Sequence, residues 1–247
     1  MLEKLLGFTL VLTRISAFFL ILPVFGWQAI PMQTKVALTV LLSLFFATIA
    51  PIGIDLTGVS NLSAVLLLAS EAMYGLALGL IIVLLFSVIK LSAHFVERQM
   101  GLTMAHIIDP LTNEEGKPLS NLLEMIFVLL FFGVNGHHLF LLIISKSYEA
   151  FPVGTVPTIG VLTGGVVSAS SAMFVASLRL AAPVLAAFLV LMVALALLAR
   201  LVPEMNILFI SMPMRMAMGL IMTSMFLPFV NGYISEMADW MAKFLPL

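Results

Sequence analysis

The stretch from Ala199 to Met225, ARLVPEMNILFISMPMRMAMGLIMTSM, carries the densest signal in the chain. Two prolines, Pro203 and Pro213, and two arginines, Arg200 and Arg215, interrupt an otherwise apolar run, and seven methionines fall between Met205 and Met225. A span that meets only lipid is well served by Leu, Ile and Val, whereas unbranched thioethers suit surfaces that repack against a changing partner. Proline at membrane depth frees backbone groups that neighbouring protein has to satisfy. The stretch therefore reads as part of a protein assembly, one that seals and opens. Within it Met214, Met218, Met222 and Met225 follow i, i+4, i+8, i+11, a single helical stripe that serves either as packing or as a soft wall beside a pore.

The rest of the chain agrees with a membrane setting. Apolar residues make up 62% of 247 positions and charged residues 9%, against about half and a quarter in soluble domains. A net charge of −1 gives no electrostatic footprint for nucleic acid, and the absence of cysteine excludes disulfides and thiolate chemistry. Lys4 precedes an apolar run that Arg14 interrupts, with no small-x-small cleavage pattern after it, so a retained first helix is expected. Windows 15–34, 36–54, 125–145, 180–199 and 216–235 lack charge and approach the ~20 residues that cross a bilayer. The fold expected is an all-α integral membrane protein, one embedded domain over 1–247. Its six hydrophobic helical segments fall near 5–24, 36–53, 63–91, 119–145, 171–200 and 212–231, with a short amphipathic tail from Tyr233.

Arg14, Glu71, Arg179 and Arg215 lie in apolar stretches, where an ionised side chain costs at least ~2.5 kcal/mol at a bilayer centre. Such residues are expected to face protein or water. Glu71, Gly75 and Gly79 share one helical face; glycines four apart let two helix backbones approach, and the carboxylate one turn away can pair with an arginine of a neighbouring helix, bind a cation or relay a proton. The connection from His94 to Asn121 breaks at Asp109-Pro110 and Gly116-Lys117-Pro118. Met104, Ile107, Ile108 and Leu111 in it either fold inward to obstruct a conduit or belong to a solvated loop. His137 and His138 point about 100° apart on a helix, and no metal-binding or catalytic spacing such as H-E-x-x-H or G-x-S-x-G occurs, so neither metal nor cofactor is expected. Arg200 and Glu204 stand at i, i+4, with Pro203 constraining the backbone between them.

Taken in order, Arg200-x-x-Pro203-Glu204-Met205-Asn206-Ile207-x-Phe209-Ile210 with Pro213, Glu71-x-x-x-Gly75-x-x-x-Gly79, Asp109-Pro110, Asn135-Gly136-His137, Arg179-x-x-x-Pro183 and Pro23-x-Phe25 resemble the FliR family of flagellar and virulence type III secretion export gates over essentially the full length. The resemblance implies a non-catalytic, single-copy subunit of a helical, pore-forming complex in the bacterial inner membrane at the flagellar basal body. Its implied partners are FliP-like and FliQ-like membrane subunits, a FliB/FlhB-type gate protein, unfolded secreted proteins and membrane lipid. Helices of such proteins are bent hairpins, and about His106–Ser120, with Asp109, Pro110, Gly116 and Pro118, corresponds to a plug in the channel. The methionine gasket of these gates belongs mainly to the FliP-like subunit, so a seal at Met214–Met225 is a separate reading of this sequence. Alternatives are a virulence-secretion counterpart and an ion-coupled secondary transporter using Glu71 or Arg179.

Overall fold

The computed structural model describes residues 2–22, 31–50, 60–102, 117–155, 158–204 and 206–244. They form seven helices and, among the described residues, no β-strand: α1 (Leu2–Ile21), α2 (Met32–Ile49), α3 (Asn61–Met100), α4 (Pro118–Gly133), α5 (His137–Ala150), α6 (Ile159–Leu201) and α7 (Ile207–Phe244). The protein is all-α. Three helices, α2, α3 and α6, are long and apolar enough to cross a membrane, and the bent pair α4–α5 makes a fourth if it counts as one span.

Local chemistry sets the helix ends. Pro31 precedes α2 in an extended conformation, and Pro118 opens α4, where a missing N–H removes nothing a first turn would use. Gly101 follows α3 at φ +79° and its N–H reaches the Arg98 carbonyl, a left-handed helix stop that glycine adopts without Cβ strain. The expected fourth segment, 119–145, is two helices bent by 71°. Asn135 stands between them at φ +59°, and asparagine is among the few side chains that tolerate this region. Charge and hydropathy are blind to the break because both arms are apolar.

Three other boundaries move outward. α3 continues past 91 to Met100, and α6 begins at Ile159, twelve residues before the expected 171. Gly160, Gly164 and Gly165 lower helix propensity there by ~1 kcal/mol each relative to alanine, yet the apolar run through Val166 and Val167 stays helical. The tail from Tyr233 is not a separate element, because α7 runs through it to Phe244; Tyr233, Ile234, Met237 and Met241 are all buried.

The chain divides into two compact units, 1–86 with 132–172 and 237–247, and 87–131 with 173–236. The core of the first is built from Leu10, Ile15 and Phe18 of α1, Tyr74, Leu78 and Ile82 of α3, and Phe140 and Tyr148 of α5. The second centres on Ile89 of α3, Phe127 and Phe131 of α4, Val184 and Phe188 of α6, and Tyr233 of α7. The Phe127 and Tyr233 rings lie 6.0 Å apart.

Candidate functional site

In the first unit the site is a buried ion pair. Arg14 is placed by α1 and Glu71 by α3; Arg14 Nε lies 2.5 Å from Glu71 Oε2, and neither side chain exceeds 2% exposure. The guanidinium also donates through Nη1 to the carbonyls of Ser147 (3.2 Å) and Phe151 (3.0 Å) at the C-terminal end of α5. The helix dipole places partial negative charge there, so a cation is favoured. The Tyr148 and Tyr74 rings lie 4.3 and 4.7 Å from the guanidinium carbon, close enough for cation–π attraction. The other Glu71 oxygen accepts the Gly154 N–H at 2.8 Å. Gly154 sits at φ +88°, a turn conformation that favours glycine. One charge pair thereby ties together α1, α3, the end of α5 and the turn after it.

Gly75 and Gly79 make the pair geometrically accessible. A Cβ on Gly75 would overlap the Arg14 carbonyl oxygen, and one on Gly79 would stand 3.0 Å from the Phe18 carbonyl oxygen. The two backbones come together because this face of α3 lacks side chains, which brings Glu71, one turn earlier, within reach of Arg14. The carboxylate is thus engaged by an arginine and a backbone amide.

The second unit holds another buried carboxylate. Glu97, 1% exposed, lies in the last turn of α3. Its Oε1 accepts the Leu119 N–H at 3.2 Å, and its Oε2 accepts the Ser120 hydroxyl at 2.6 Å. These groups belong to the first turn of α4, whose free N–H donors and positive dipole end attract an anion. Glu97 therefore joins the two helix ends that flank residues 103–116. His94 Nδ1 stands 3.8 Å from Glu97 Oε2, and Arg98 Nε donates to His94 Nε2 at 3.1 Å. Glu97→Ala removes both acceptors, and the expected cost is roughly 2 kcal/mol. It should appear as faster hydrogen exchange at the Leu119 and Ser120 amides, with the amides of α6 unchanged; equal protection in variant and parent would dismiss the cap.

The remaining sequence candidates separate. Met104, His106, Ile107, Ile108, Asp109, Pro110, Leu111 and Gly116 lie outside the described residues, as does Met205. Pro118 through Ser120 belong to the first turn of α4, not to the connection. Arg179 is exposed and pairs with Glu236 at 3.1 Å. Arg200 closes α6, while Pro203 and Glu204 form an exposed turn. Because α6 ends at Leu201, the i, i+4 register of Arg200 and Glu204 is lost, and no ion pair between them occurs among the described residues. The Asn206 carbonyl accepts the Phe209 N–H as α7 begins, and Pro213 lies exposed within α7.

The inward stripe of α7 in this region is Ser211, Gly219 and Thr223, while Met214 and Met225 are exposed and Met218 and Met222 half-buried. The buried Met100 occupies the notch at Gly219, where a Cβ would overlap its side chain. No group of three or more metal-ligating side chains occurs among the described residues. His137 and His138 are adjacent rings, the former stacked on Phe132.

Tyr74, Tyr148 and Glu97 were not among the site candidates from sequence, and Ser120 was placed in the plug region rather than at a helix cap. Arg14 was visible as a charge in an apolar run, but its partner lies 57 positions away. Glu97 has partners 22 and 23 positions away, beyond the reach of local sequence spacing.

An all-α chain with membrane-length helices, in which the buried carboxylates Glu71 and Glu97 among the described residues are held by an arginine, a hydroxyl and backbone amides, defines a membrane protein in which these charges are internal fixtures. Residues 5–241 match the bacterial export proteins, family 1, and the chain belongs to that family. It is 30% identical over 221 residues to the flagellar biosynthetic protein FliR of Bacillus subtilis (strain 168), covering 87% of this chain and 84% of that one. Identity to FliR of Pectobacterium carotovorum subsp. carotovorum is 28% over 236 residues, covering 94% and 90%. With FliR of Escherichia coli (strain K12) it is 25% over 226 residues, covering 92% and 86%.

Proposed function

We propose that this chain helps to form and seal the conduit through which unfolded flagellar proteins leave the cytoplasm. It acts as a non-catalytic inner-membrane subunit beside FliP-like and FliQ-like subunits and a FliB/FlhB-type gate protein. Family membership and relatives named as flagellar make it a component of the flagellar type III export apparatus, and its apolar helices make it a membrane protein. The observation that carries the finer reading is the apolar surface its own fold leaves uncovered. The most apolar windows of α2 and α6 are only 11% and 28% buried.

Lipid accepts Phe174, Val175 and Leu178 on α6, which are exposed, but their neighbours Arg179 and Glu236 form an ion pair that is itself exposed. A charge at membrane depth calls for protein or water. The exposed Met212, Met214, Met216 and Met225 on α7 offer the polarizable, adaptable contacts that suit a changing neighbour. A transporter reading loses support because both Glu71 oxygens are engaged by Arg14 and Gly154. The flagellar names of the relatives favour flagellar over virulence secretion.

In this reading residues 104–116 supply the plug, and Glu97 fixes its base. Replacing 104–116 by a short glycine–serine linker, with Pro118–Ser120 retained for the α4 cap, should raise ion leak through the idle complex in planar bilayers. Unchanged conductance would count against a plug.

A further inference from the structure

The apolar first half of α7 carries one cation, Arg215, and no acidic residue precedes Glu236 on this helix. Arg215 stands between Ser211 and Gly219 on the inward stripe, four positions from each. Gly219 meets the side chain of Met100, the last residue of α3, so Arg215 lies one turn beyond that contact. It is half-buried, and its Nε is shielded from solvent yet reaches no acceptor. No hydrogen bond or ion pair engages its guanidinium among the described residues. Arg14, Lys90 and Arg179, also set in apolar helices, each hold a carboxylate, from Glu71, Glu124 and Glu236 respectively.

A guanidinium carries a permanent charge, and taking it out of water is unfavourable until an opposite charge and hydrogen bonds replace the water. At Arg215 water is partly removed, and no described residue of the chain replaces it. Its neighbours along the helix, Met212, Met214 and Met216, are exposed and suit a protein surface that packs over them. The planar fork of the guanidinium matches a carboxylate through two parallel hydrogen bonds. A lipid phosphate shares that chemistry but stays at the bilayer surface, whereas Arg215 is rooted on the stripe that meets α3 at Met100.

We infer that Arg215 is the docking point for a carboxylate carried on an apolar helix of a neighbouring subunit, with the methionines closing around the pair. The inference rests on the reading of the chain as one subunit of a gate, and it names the charge that sets a neighbour in register on α7.

The full-length chain is purified alone and with co-expressed FliP-like and FliQ-like subunits, as parent and as Arg215→Leu, Arg215→Lys and Arg215→Glu. Alone, Arg215→Leu should melt at or above the parent temperature, because an unpaired cation is removed. With the partner subunits, recovery of the complex should fall about tenfold or more for Arg215→Leu and Arg215→Glu, and Arg215→Lys should retain part of it. Replacing each acidic residue of the partners' apolar segments by arginine, one at a time, should reveal one change that restores assembly to Arg215→Glu. The signature is a substitution that spares the lone chain and breaks the complex, since a merely structural arginine would damage both. Equal recovery of the complex by parent and Arg215→Leu overturns the proposal, as does rescue by none of the reversals. A lower melting temperature of the lone Arg215→Leu chain would place the counter-charge within this chain, and a loss of assembly confined to samples containing phosphatidylglycerol would assign the site to a lipid phosphate; either overturns it. A parent chain that captures neither partner would overturn the gate reading itself, and this inference with it.

Discussion

Glu71→Leu should destabilise the protein by about 3–5 kcal/mol, because it leaves the Arg14 guanidinium buried without its counter-charge. Arg14 is 1% exposed, so it cannot recover water without separating α1 from α3. Its two backbone acceptors at the end of α5 and its two tyrosine neighbours solvate it in part, but none carries a full negative charge. The Gly154 amide loses its acceptor as well. In detergent the variant should give a low yield of monodisperse protein and a clearly lower thermal midpoint. Arg14→Leu should be comparably damaging, since it strands a carboxylate of 0% exposure. The double variant Arg14→Leu with Glu71→Leu is expected to recover much of the loss, as apolar side chains of similar volume often replace a buried pair with little cost. Additive damage in the double variant would mean that the two residues contribute separately, and the pair would lose its standing as one fixture.

Recovered stability need not mean recovered export. A leucine pair restores packing but not the orientation that charge-assisted hydrogen bonds impose on the turn at Phe151–Gly154. A swimming assay on the double variant separates the two contributions. Motility near the parent level would make the pair a stability device, whereas a stable, non-motile strain would make it a positioning device for the connection between α5 and α6.

How much of this could be read from the sequence depends on the separation of the residues involved. The spacing of Glu71, Gly75 and Gly79 pointed to close backbone approach with a carboxylate one turn away, because i, i+4 geometry is local. The choice of Arg14 over Arg179 or Arg215 as its partner was not local. It follows from the approach of α1 to α3, which depends on chain contacts many turns apart. Glu97 illustrates the same limit: a carboxylate near the polar end of a long apolar helix looks solvated until Pro118, on the far side of a long connection, starts a helix against it.

The methionine stripe shows a different limit. Its period was correct, but periodicity finds a face without saying which way it turns. Ser211, Gly219 and Thr223 face inward because small side chains allow close approach, and Met100 fills the notch they leave at Gly219. The displaced methionines at 214 and 225 are left at the surface, where their chemistry is available to another molecule. The length of the apolar run around Asn135 suggests one span, because neither charge nor hydropathy registers the bend that its positive φ allows.

Among Gly75, Gly79 and Gly164, Gly75→Leu should be the most damaging substitution, and the comparison makes the claim quantitative. At Gly75 the obstruction is the Arg14 carbonyl, with the Ala17 Cβ 3.0 Å away. Neither is a flexible side-chain tip, so no rotamer change clears the site and α1 has to move away from α3. Overpacking of this kind typically costs 1–3 kcal/mol, and displacement of Arg14 from Glu71 adds a share of the ion-pair loss, so roughly 4 kcal/mol in total is expected. Gly79→Ala meets the Phe18 carbonyl at 3.0 Å and should cost less, since a shift of a few tenths of an ångström relieves it. Gly164→Ala, where nothing lies within 4 Å, should be neutral or stabilise α6 by about 0.5–1 kcal/mol through helix propensity. Thermal midpoints of the three variants in one detergent should fall in the order Gly164→Ala, Gly79→Ala, Gly75→Leu. If Gly75→Leu melts with the parent, α1 and α3 do not meet through this glycine face, and the route by which Glu71 reaches Arg14 would have to be sought elsewhere.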